Sequence, residues 1–308
     1  MKSSSDGGVS VLIASQALIR AEPGLALHPA MDQWRLQLQR YRQQWYQCRA
    51  NLPVSLYAGL QGRCESELLA TLMPELPEQT TQCWMASPYH AQLSRDSVIL
   101  LPDGMLPLSE QDANWLCRQL NPMLAEDGMT LVSRGAALLL CCREKLHASP
   151  ASFGDISGKH LPDRHAQGAD DGHLMRLQSE IQMLLHRHPA DHRREKGEQD
   201  INGLWLWAPG EPKRSDTKDY RVATRNPCLQ SMVDGRDANI IISEAERLSE
   251  LLKEDARLPA HVLLAGEGHA VLLSKSVFRG FAKARWQPKS VKHESELFSL
   301  LRGMIHVA

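Results

Sequence analysis

Hydrophobic residues recur with a helical period in the segment 31–50, MDQWRLQLQRYRQQWYQCRA. Trp34, Leu38, Tyr41 and Trp45 are separated by three or four residues, so they would share one face of a helix. Gln and Arg residues occupy the positions between them. The pattern therefore predicts an amphipathic helix that ends at the Asn-Leu-Pro that follows.

A second apolar run, Val9–Ile19, follows two glycines near the start of the chain. Because Lys2 is the only basic residue before it, an amphipathic helix explains the run better than a secretory signal does. No run in the sequence approaches the ~20 consecutive apolar residues that a membrane helix needs. We therefore expect no membrane span.

The middle of the chain alternates strand-like and helix-like patterns. Ser109 precedes a helical pattern and an acid, Asp112, stands three residues later, which is the signature of a capping box. This helix is predicted to stop at Asn121-Pro122. The apolar runs around it predict two hairpins: Ser97–Leu101 with Met105–Leu108 across Pro102-Asp103-Gly104, and Met129–Ser133 with Ala136–Cys142 across Arg134-Gly135.

Residues 147–172 are rich in Gly, Pro, Ser, Asp and His, which is typical of a connecting loop. Three regions are therefore predicted: an N-terminal α+β region over 1–146, this connector, and a motif-bearing region over 173–308. Strands and helices alternate in the last region. Its predicted elements are helix Leu174–His186, strand Ala238–Ile242, helix Ser243–Lys253, strand Ala260–Leu264, strand Ala270–Ser274 and helix Ser295–Ile305.

The expected fold class is accordingly α+β. We expect a mixed sheet with hairpins and flanking helices, together with a smaller α/β element at the C-terminus.

Composition argues against several kinds of partner and compartment. The formal net charge is −1, from 35 basic and 36 acidic residues, so no global field favours nucleic acid or an acidic membrane. The seven cysteines form no Cys-x-x-Cys pair, and Cys141-Cys142 lie inside an apolar run. Reduced and mostly buried thiols, as in a cytoplasmic protein, are expected.

Three histidines lie close together between residues 186 and 192. His188 and His192 have the i, i+4 spacing of a metal-binding helix, but Pro189 separates them and no cysteine or certain third ligand accompanies them. Together with His186 they are more simply explained as hydrogen-bonded histidines of a turn. We therefore expect no metal and no cofactor.

Two further motifs also have simple explanations. Asp103-Gly104 after an apolar run is similar to the strand-then-Asp start of many metal-dependent phosphotransferases, but a hairpin turn accounts for Pro-Asp-Gly as well. Gly266-x-Gly268 follows a predicted strand, as a nucleotide-binding loop would. Because a second strand and not a helix comes next, a hairpin is expected there.

The segment Asn202–Trp207 alternates Leu with Trp. As a strand it would place Trp205 and Trp207 on one face and the two leucines on the other. Burial of both faces is the simpler explanation. The alternative is an aromatic wall of a ligand pocket, with Asn202 and Arg193 as its polar contacts.

These residues resemble a known family. The string His188-Pro189-x-x-x-Arg193-x-x-x-Gly197, followed by Ile201-Asn202-x-Leu204-Trp205-x-Trp207-x-x-Gly210, is similar to the RpfE-type regulatory proteins of proteobacteria. The resemblance covers roughly residues 80–215. It departs from the family pattern at Ala190-Asp191, where Val-Asn is usual, and at Ala208, where the family has glycine.

The same string is similar to one segment of the archaeal-type cofactor-independent phosphoglycerate mutases, which use two metals and a serine nucleophile. The metal-binding Asp, the nucleophile and the later Asp-His set of those enzymes have no counterpart in this sequence. The resemblance therefore implies common ancestry or a common ligand-contact segment, and not the reaction. Loss of the glycine at 208 removes a position that could take a positive φ or approach a ligand closely.

Three hypotheses follow. The favoured one is a cytoplasmic, RpfE-like regulatory protein without catalysis, which binds a small anionic ligand or a protein partner through His188, Arg193, Asn202, Trp205 and Trp207. The second is a divergent metal-dependent phosphotransferase acting on phosphoglycerate. The third is an assembly component whose Trp-rich N-terminal helix docks a partner.

Overall fold

A computed structural model describes residues 9–22, 24–50, 52–94, 97–102, 105–212, 220–233, 238–253, 256–275, 286, 288 and 290–306. The chain divides into two compact units. Unit 1 is built from both ends of the chain, Met1–Gly62 and Lys218–Ala308, and unit 2 is the continuous segment Arg63–Thr217.

The strands are β1 (Val11–Ser15), β2 (Leu18–Ala21), β3 (Gly24–Leu27), β4 (Tyr41–Gln47), β5 (Gln82–Tyr89), β6 (Ala91–Leu93), β7 (Val98–Leu100), β8 (Met129–Arg134), β9 (Ala137–Cys142), β10 (Ala148–Pro150), β11 (Ala166–Gly168), β12 (Gly203–Gly210), β13 (Val222–Ala223), β14 (Ile240–Glu244), β15 (His261–Gly266), β16 (His269–Lys275) and β17 (Val291–Lys292). The α-helices are α1 (Arg35–Leu38), α2 (Pro53–Gln61), α3 (Glu65–Leu72), α4 (Glu110–Leu124), α5 (Phe153–Ile156), α6 (Asp171–Arg187), α7 (Asp191–Glu195), α8 (Pro227–Gln230) and α9 (Glu294–His306). The 3-10 helices are Pro29–Trp34, Ala125–Asp127 and Ala245–Glu250.

Unit 1 is organised by a seven-stranded mixed sheet in the order β13-β14-β1-β15-β16-β4-β17. Strands β13, β14, β1 and β15 are parallel, whereas β16 runs antiparallel to both of its neighbours, β15 and β4. One face of the sheet shares a core with Trp34 and Leu38 of the chain segment before β4. Helices α2 and α9 pack against each other, and each also contacts the sheet.

Unit 2 is organised by a four-stranded antiparallel sheet in the order β12-β5-β9-β8. Helices α4 and α6 cover one face, where Leu116, Leu120, Leu177 and Ile181 pack against the strands. Helix α3 contacts β5, β9 and β12. The expected α+β class, with hairpins and flanking helices, is confirmed.

The two N-terminal segments predicted as helices were predicted wrongly. Val9–Ile19 holds β1 and the start of β2, because a short apolar run that is buried on both faces is also the pattern of a central parallel strand. In the segment 31–50 the helical part ends at Leu38, and Tyr41–Gln47 is β4. Pairing of β4 with β16 outweighs the helical spacing.

The other local predictions have mixed outcomes. The Ser109–Asp112 capping box is confirmed, but α4 continues through Pro122 to Leu124 instead of stopping there. Strand β7 pairs with β6 and not with Met105–Leu108, which is not a strand. Asp103 and Gly104 of the expected turn lie outside the described residues.

Most of the elements predicted for the later part of the chain are present in the structure. The β8–β9 and β15–β16 hairpins and helices α6 and α9 are confirmed. Strands were expected at Ala238–Ile242, Ala260–Leu264 and Ala270–Ser274, and they are found as β14, β15 and β16. The helix expected over Ser243–Lys253 is wrong in its extent, because β14 runs on to Glu244 and only a 3-10 helix, Ala245–Glu250, follows.

The predicted regions and the two units divide the chain at different places. The expected boundaries at 146/147 and 172/173 both fall inside unit 2, and the expected connector contains β10, α5 and β11. The unit boundaries instead follow pairing between distant parts of the chain, since β1 joins β14 and β15 about 230 to 250 residues later. Within the described part of the chain, no helix combines the length and apolarity needed to cross a membrane.

Gly59 and Gly303 provide a matched test of the α2–α9 contact in unit 1. A Cβ added at Gly59 would lie 2.4 to 2.6 Å from three carbons of the Phe298 ring, whereas a Cβ at Gly303 meets nothing within 4 Å. Both glycines are helical, so alanine favours the helix by roughly 0.5–1 kcal/mol at either site.

We expect Gly303→Ala to be neutral or stabilising, and Gly59→Ala to destabilise unit 1 by roughly 1–3 kcal/mol through overpacking. Urea unfolding of both variants, followed by far-UV circular dichroism, measures the difference. Equal stability of the two variants would contradict the close packing of Phe298 against α2.

Candidate functional site

Arg193 lies at the centre of a buried polar cluster in unit 2. Its side chain is 0% exposed. The Nε atom donates to the Gln199 carbonyl at 2.7 Å, and Nη1 donates to the Pro107 carbonyl at 2.9 Å and to Asp112 Oδ2 at 3.0 Å. Glu198 Oε2 lies 3.4 Å from Nη1. The guanidinium charge therefore already faces two carboxylates.

Asp112 collects hydrogen bonds from three residues. Oδ2 accepts from the Ser109 backbone N–H at 2.8 Å and from the Ser109 hydroxyl at 2.7 Å, while Oδ1 accepts from His192 Nε2 at 2.7 Å. Burial alone would raise the pKa of Asp112. The bonds from Ser109 and His192 and the charge of Arg193 outweigh burial, so the pKa of this carboxyl is lowered.

Ser109, Asp112 and His192 are the residue types of a hydrolase triad, but their arrangement differs. In a triad the histidine accepts the proton of the serine hydroxyl. Here the Ser109 hydroxyl donates to the Asp112 carboxylate, and His192 donates to the other oxygen of the same carboxylate. The cluster thus connects the first turn of α4 to α7 through one shared carboxylate.

A second buried network surrounds His165, which packs against Trp205 with ring centroids 4.0 Å apart and planes at 20°. His165 Nε2 lies 2.8 Å from the Leu206 carbonyl, which can only accept, so Nε2 carries a hydrogen. Nδ1 lies 2.9 Å from the Gln178 amide, and that amide also bonds the Tyr89 hydroxyl at 3.0 Å. Burial lowers the pKa of His165 despite these bonds.

A neutral His165 satisfies the whole network. Gln178 Oε1 is placed toward Nδ1, and Nε2 toward the Tyr89 hydroxyl. An imidazole that is neutral and donates from Nε2 requires the flipped amide, whose NH2 group donates to Nδ1. The Gln178 oxygen then accepts from the Tyr89 hydroxyl, which itself accepts from Gln182 Nε2 at 2.8 Å. Gly203 completes the site, because a Cβ there would overlap the Tyr89 ring.

The structure brings four of the five predicted ligand contacts into unit 2's interior. Trp205 Nε1 donates to the Ala151 carbonyl at 3.0 Å, and Trp207 Nε1 donates to Ser87 Oγ at 2.8 Å. Asn202 bonds both the N–H and the C=O of Ala91, at 2.7 and 2.8 Å. Arg193 is the fourth, and all four side chains have protein partners.

His188, the fifth predicted contact, is exposed at the C-cap of α6. The expected alternation along β12 is present, since Leu204 and Leu206 belong to the α4/α6 core and the tryptophans do not. Ala208 takes the left-handed conformation, with φ 47°. The backbone at this position therefore adopts a positive φ although alanine stands where the resembled family has glycine.

His165, Tyr89 and Gln178 were not predicted as site residues from the sequence. One signal was readable: Gln178 is a polar residue on the otherwise apolar stripe of α6, beside Leu174, Leu177 and Ile181. A buried amide in that position needs partners. His165 carried no signal, because it lies in the segment expected to be a connecting loop.

Unit 1 contains an open groove of about 1080 Å³. Its walls come from the chain before β1, from β4, from the start of β15 and from one face of α9. The lining residues are Val9, Ser10, Gln44, Tyr46, Ala260, His261, Lys292, Ser295, Glu296, Ser299, Leu300, Gly303 and Met304. The sequence predicted none of them as a site.

Charges at this groove are compensated. Lys292 Nζ lies 3.4 Å from Glu296 Oε2 on the rim. His261 Nδ1 lies 3.3 Å from Ser274 Oγ, and burial lowers the pKa of this imidazole, which favours its neutral form. Burial, and to a smaller extent the Glu296 charge, raises the pKa of Tyr46, so its phenol stays protonated. Among the described residues, no three His, Cys, Asp or Glu side chains are grouped so as to hold a metal ion.

No protein-family model and no curated protein matches this chain. Solved structures are similar to this chain at low identity and low TM-score. The cofactor-independent phosphoglycerate mutase from Thermoplasma acidophilum is 11% identical, with a TM-score of 0.37 and coverage of 97% of this chain and 99% of that chain. The PH0037 protein from Pyrococcus horikoshii is 11% identical, with a TM-score of 0.44 and coverage of 98% of each chain.

Arg193 and its neighbour Arg194 form a matched pair for mutation. Arg193 is fully buried, whereas the Arg194 side chain is 56% exposed and pairs with Asp200. We expect Arg193→Ala to destabilise unit 2 by roughly 3–5 kcal/mol, because it leaves Asp112 buried without its cation. Arg194→Ala should change stability by less than about 1 kcal/mol. Urea unfolding checks both values. An Arg193→Ala variant as stable as the wild type would contradict a stabilising role for the buried Arg193 cluster.

His165 gives a pH prediction. Its ordinary pKa is 6.5 and the folded value is lower. As the pH falls below 6.5, the unfolded chain therefore binds a proton that the folded chain does not, and stability decreases toward the folded pKa. The nearby Asp171 charge opposes this shift only in part. Tyr89 faces His165 through Gln178 and keeps its proton in this range, because its pKa is raised.

We expect wild-type unit 2 to lose stability between pH 7 and pH 5 with a slope of up to about 1.4 kcal/mol per pH unit from this residue. His165→Gln should lower the stability at pH 7 but flatten the slope. Urea unfolding at each pH measures the free energy of unfolding. If it changes with pH by the same slope in both proteins, His165 is not the titrating group.

Proposed function

We propose that this chain is an RpfE-like binding protein without catalysis, and that it recognises a small, largely apolar molecule in the groove of unit 1. The observation that carries the proposal is the groove itself, about 1080 Å³ in volume with both apolar and hydrogen-bonding walls. Small-molecule sites are typically concave, about 300–1,000 Å³ in volume, and mostly apolar with a few placed polar groups.

The chemistry of the walls defines the class of ligand. Leu300 and Met304 of α9 provide apolar surface, and the hydroxyls of Ser295 and Ser299 line the same helix face. On the sheet side, Tyr46 provides a phenol. A flat or elongated molecule with one or two hydrogen-bonding groups fits this combination better than a highly polar one.

The charges favour an uncharged molecule. The rim cation Lys292 is already paired with Glu296, and burial favours the neutral form of His261. A phosphorylated ligand would need an uncompensated cation or several backbone N–H donors. We therefore assign the groove to a neutral ligand, and a binding role of this kind is consistent with regulation rather than turnover.

The five motif residues remain a second predicted location, for an anionic ligand. Its support is the resemblance to the RpfE-type regulatory proteins, together with the cationic guanidinium of Arg193. Asp112 and Glu198 face that guanidinium through Nη1, whereas the buried Nη2 atom has no hydrogen-bond partner among the described residues. His188 is the exposed member of the set, so a variant at His188 tests this location without disturbing the buried Arg193 cluster.

The neutral fluorescent probe N-phenyl-1-naphthylamine tests the groove. We expect one probe per chain, with emission shifted to the blue. Ser299→Trp should weaken binding by about tenfold or more, because the indole occupies the groove; tenfold corresponds to about 1.4 kcal/mol. Titration of the full chain, with excitation in the naphthylamine band, gives the affinity.

Ser179→Trp is the matched control, since Ser179 is also exposed on a helix, in unit 2. It should bind the probe as the wild type does. His188→Ala should also leave probe binding unchanged. If Ser299→Trp binds the probe as well as Ser179→Trp does, the groove is not the site.

A further inference from the structure

Two cysteines face each other across the middle of the unit 2 sheet. Cys83 on β5 pairs directly with Cys141 on β9, and a hydrogen bond joins their thiols. They are 0% and 2% exposed. Both are free thiols in this structure. Neither takes part in the groove or in the Arg193 cluster.

The backbone at this pair has the geometry that a disulfide requires. Cys141 also pairs with Thr130 of β8, and nearby the Arg143 N–H donates to the Gly128 carbonyl at 3.2 Å. Because hydrogen bonding alternates with a period of two, the N–H and C=O of Cys141 point toward β8. Cys83 and Cys141 are then a non-hydrogen-bonded pair, whose Cα atoms approach to about 4.5 Å. Disulfides span about 4.4–6.8 Å.

A third thiol gives access to this pair. Gly210 of β12 pairs with Cys83 on the other side of β5, so a side chain at Gly210 would point to the same face as Cys83. A Cβ built there would lie 2.6 Å from Cys64 Sγ. The missing side chain of Gly210 thus leaves room for the Cys64 thiol, which is only partly buried, on the face of the sheet that carries Cys83.

We propose that Cys83 and Cys141 are a redox modification site that forms a reversible cross-strand disulfide, with Cys64 as the thiol through which a small-molecule disulfide reacts. Cys64 attacks one sulfur of that disulfide and releases one small thiol. Cys83 then attacks the Cys64 sulfur and releases the second small thiol. Cys141 attacks the Cys83 sulfur, and Cys64 leaves as a thiol.

The electron balance closes with these partners. Cys83 and Cys141 together lose two protons and two electrons, and the small-molecule disulfide gains them as two thiols. The hydrogen bond from Cys141 lowers the pKa of Cys83, which makes Cys83 the better attacking thiol of the pair. Burial raises the pKa of Cys64, so the first step should be faster at mildly alkaline pH.

Cys142 provides the control, because it is also buried but belongs to the α4/α6 core on the opposite face of the sheet. The experiment treats the folded, full-length protein with oxidised glutathione at mildly alkaline pH, blocks remaining thiols with N-ethylmaleimide, and maps disulfide-linked peptides by mass spectrometry. Wild type and Cys142→Ser should both give the Cys83–Cys141 link, reversed by dithiothreitol. Cys83→Ser and Cys141→Ser should not give it.

Cys64→Ser separates the route from the end point. It should form the same link, but at least about tenfold more slowly, because the reagent must then reach a buried thiol directly. The wild-type peptide map does not depend on whether any variant folds. Absence of the Cys83–Cys141 link from oxidised wild type would overturn the site, and an unchanged rate in Cys64→Ser would overturn the route.

Discussion

A guanidinium without solvent contact imposes the strictest requirement in unit 2. Removing the Arg193 charge from water costs several kcal/mol unless close partners replace the lost hydration. Those partners come from three places: the loop before α4, the first turn of α4, and the chain after α7. Because the Asp112 carboxylate accepts both from the Ser109 cap and from Arg193, a local helix signal and a long-range ion pair share one side chain.

The His165 network adds a second constraint on the same sheet. The imidazole there must be matched by an acceptor, the Leu206 carbonyl, and by the side-chain amide of Gln178. Tyr89 then bonds two glutamines of α6, so a single hydroxyl fixes the helix against β5. The polar side chains of the motif region are therefore largely occupied in stabilising unit 2, although the buried Arg193 Nη2 has no hydrogen-bond partner among the described residues.

Elements that are specified by short-range patterns were predicted from the sequence. Elements that depend on pairing with distant parts of the chain were predicted wrongly. The capping box at Ser109, the stripe of α6 and the Leu/Trp alternation of β12 are short-range patterns, and each is present. The run Val9–Ile19 was predicted as a helix because a buried strand and a buried helix share short apolar runs, and the segment 31–50 because its apolar residues have helical spacing. Strand β1 pairs with β14 and β15, which come more than 220 residues later in the chain. No local pattern contains information about this pairing.

The same distinction explains why the groove was not predicted. Motif reasoning searches for residues with distinctive chemistry, such as His188 and Arg193, and buried charges of that kind need partners within the protein whether or not they bind a ligand. A site for an uncharged molecule is made from ordinary residues instead: two serines, a leucine and a methionine on one face of α9, opposite a tyrosine of β4. Their shape becomes visible only when the sheet assembles from both ends of the chain. Sites for apolar ligands are thus the ones least visible in a sequence, and the site that we propose in the groove of unit 1 is of that class.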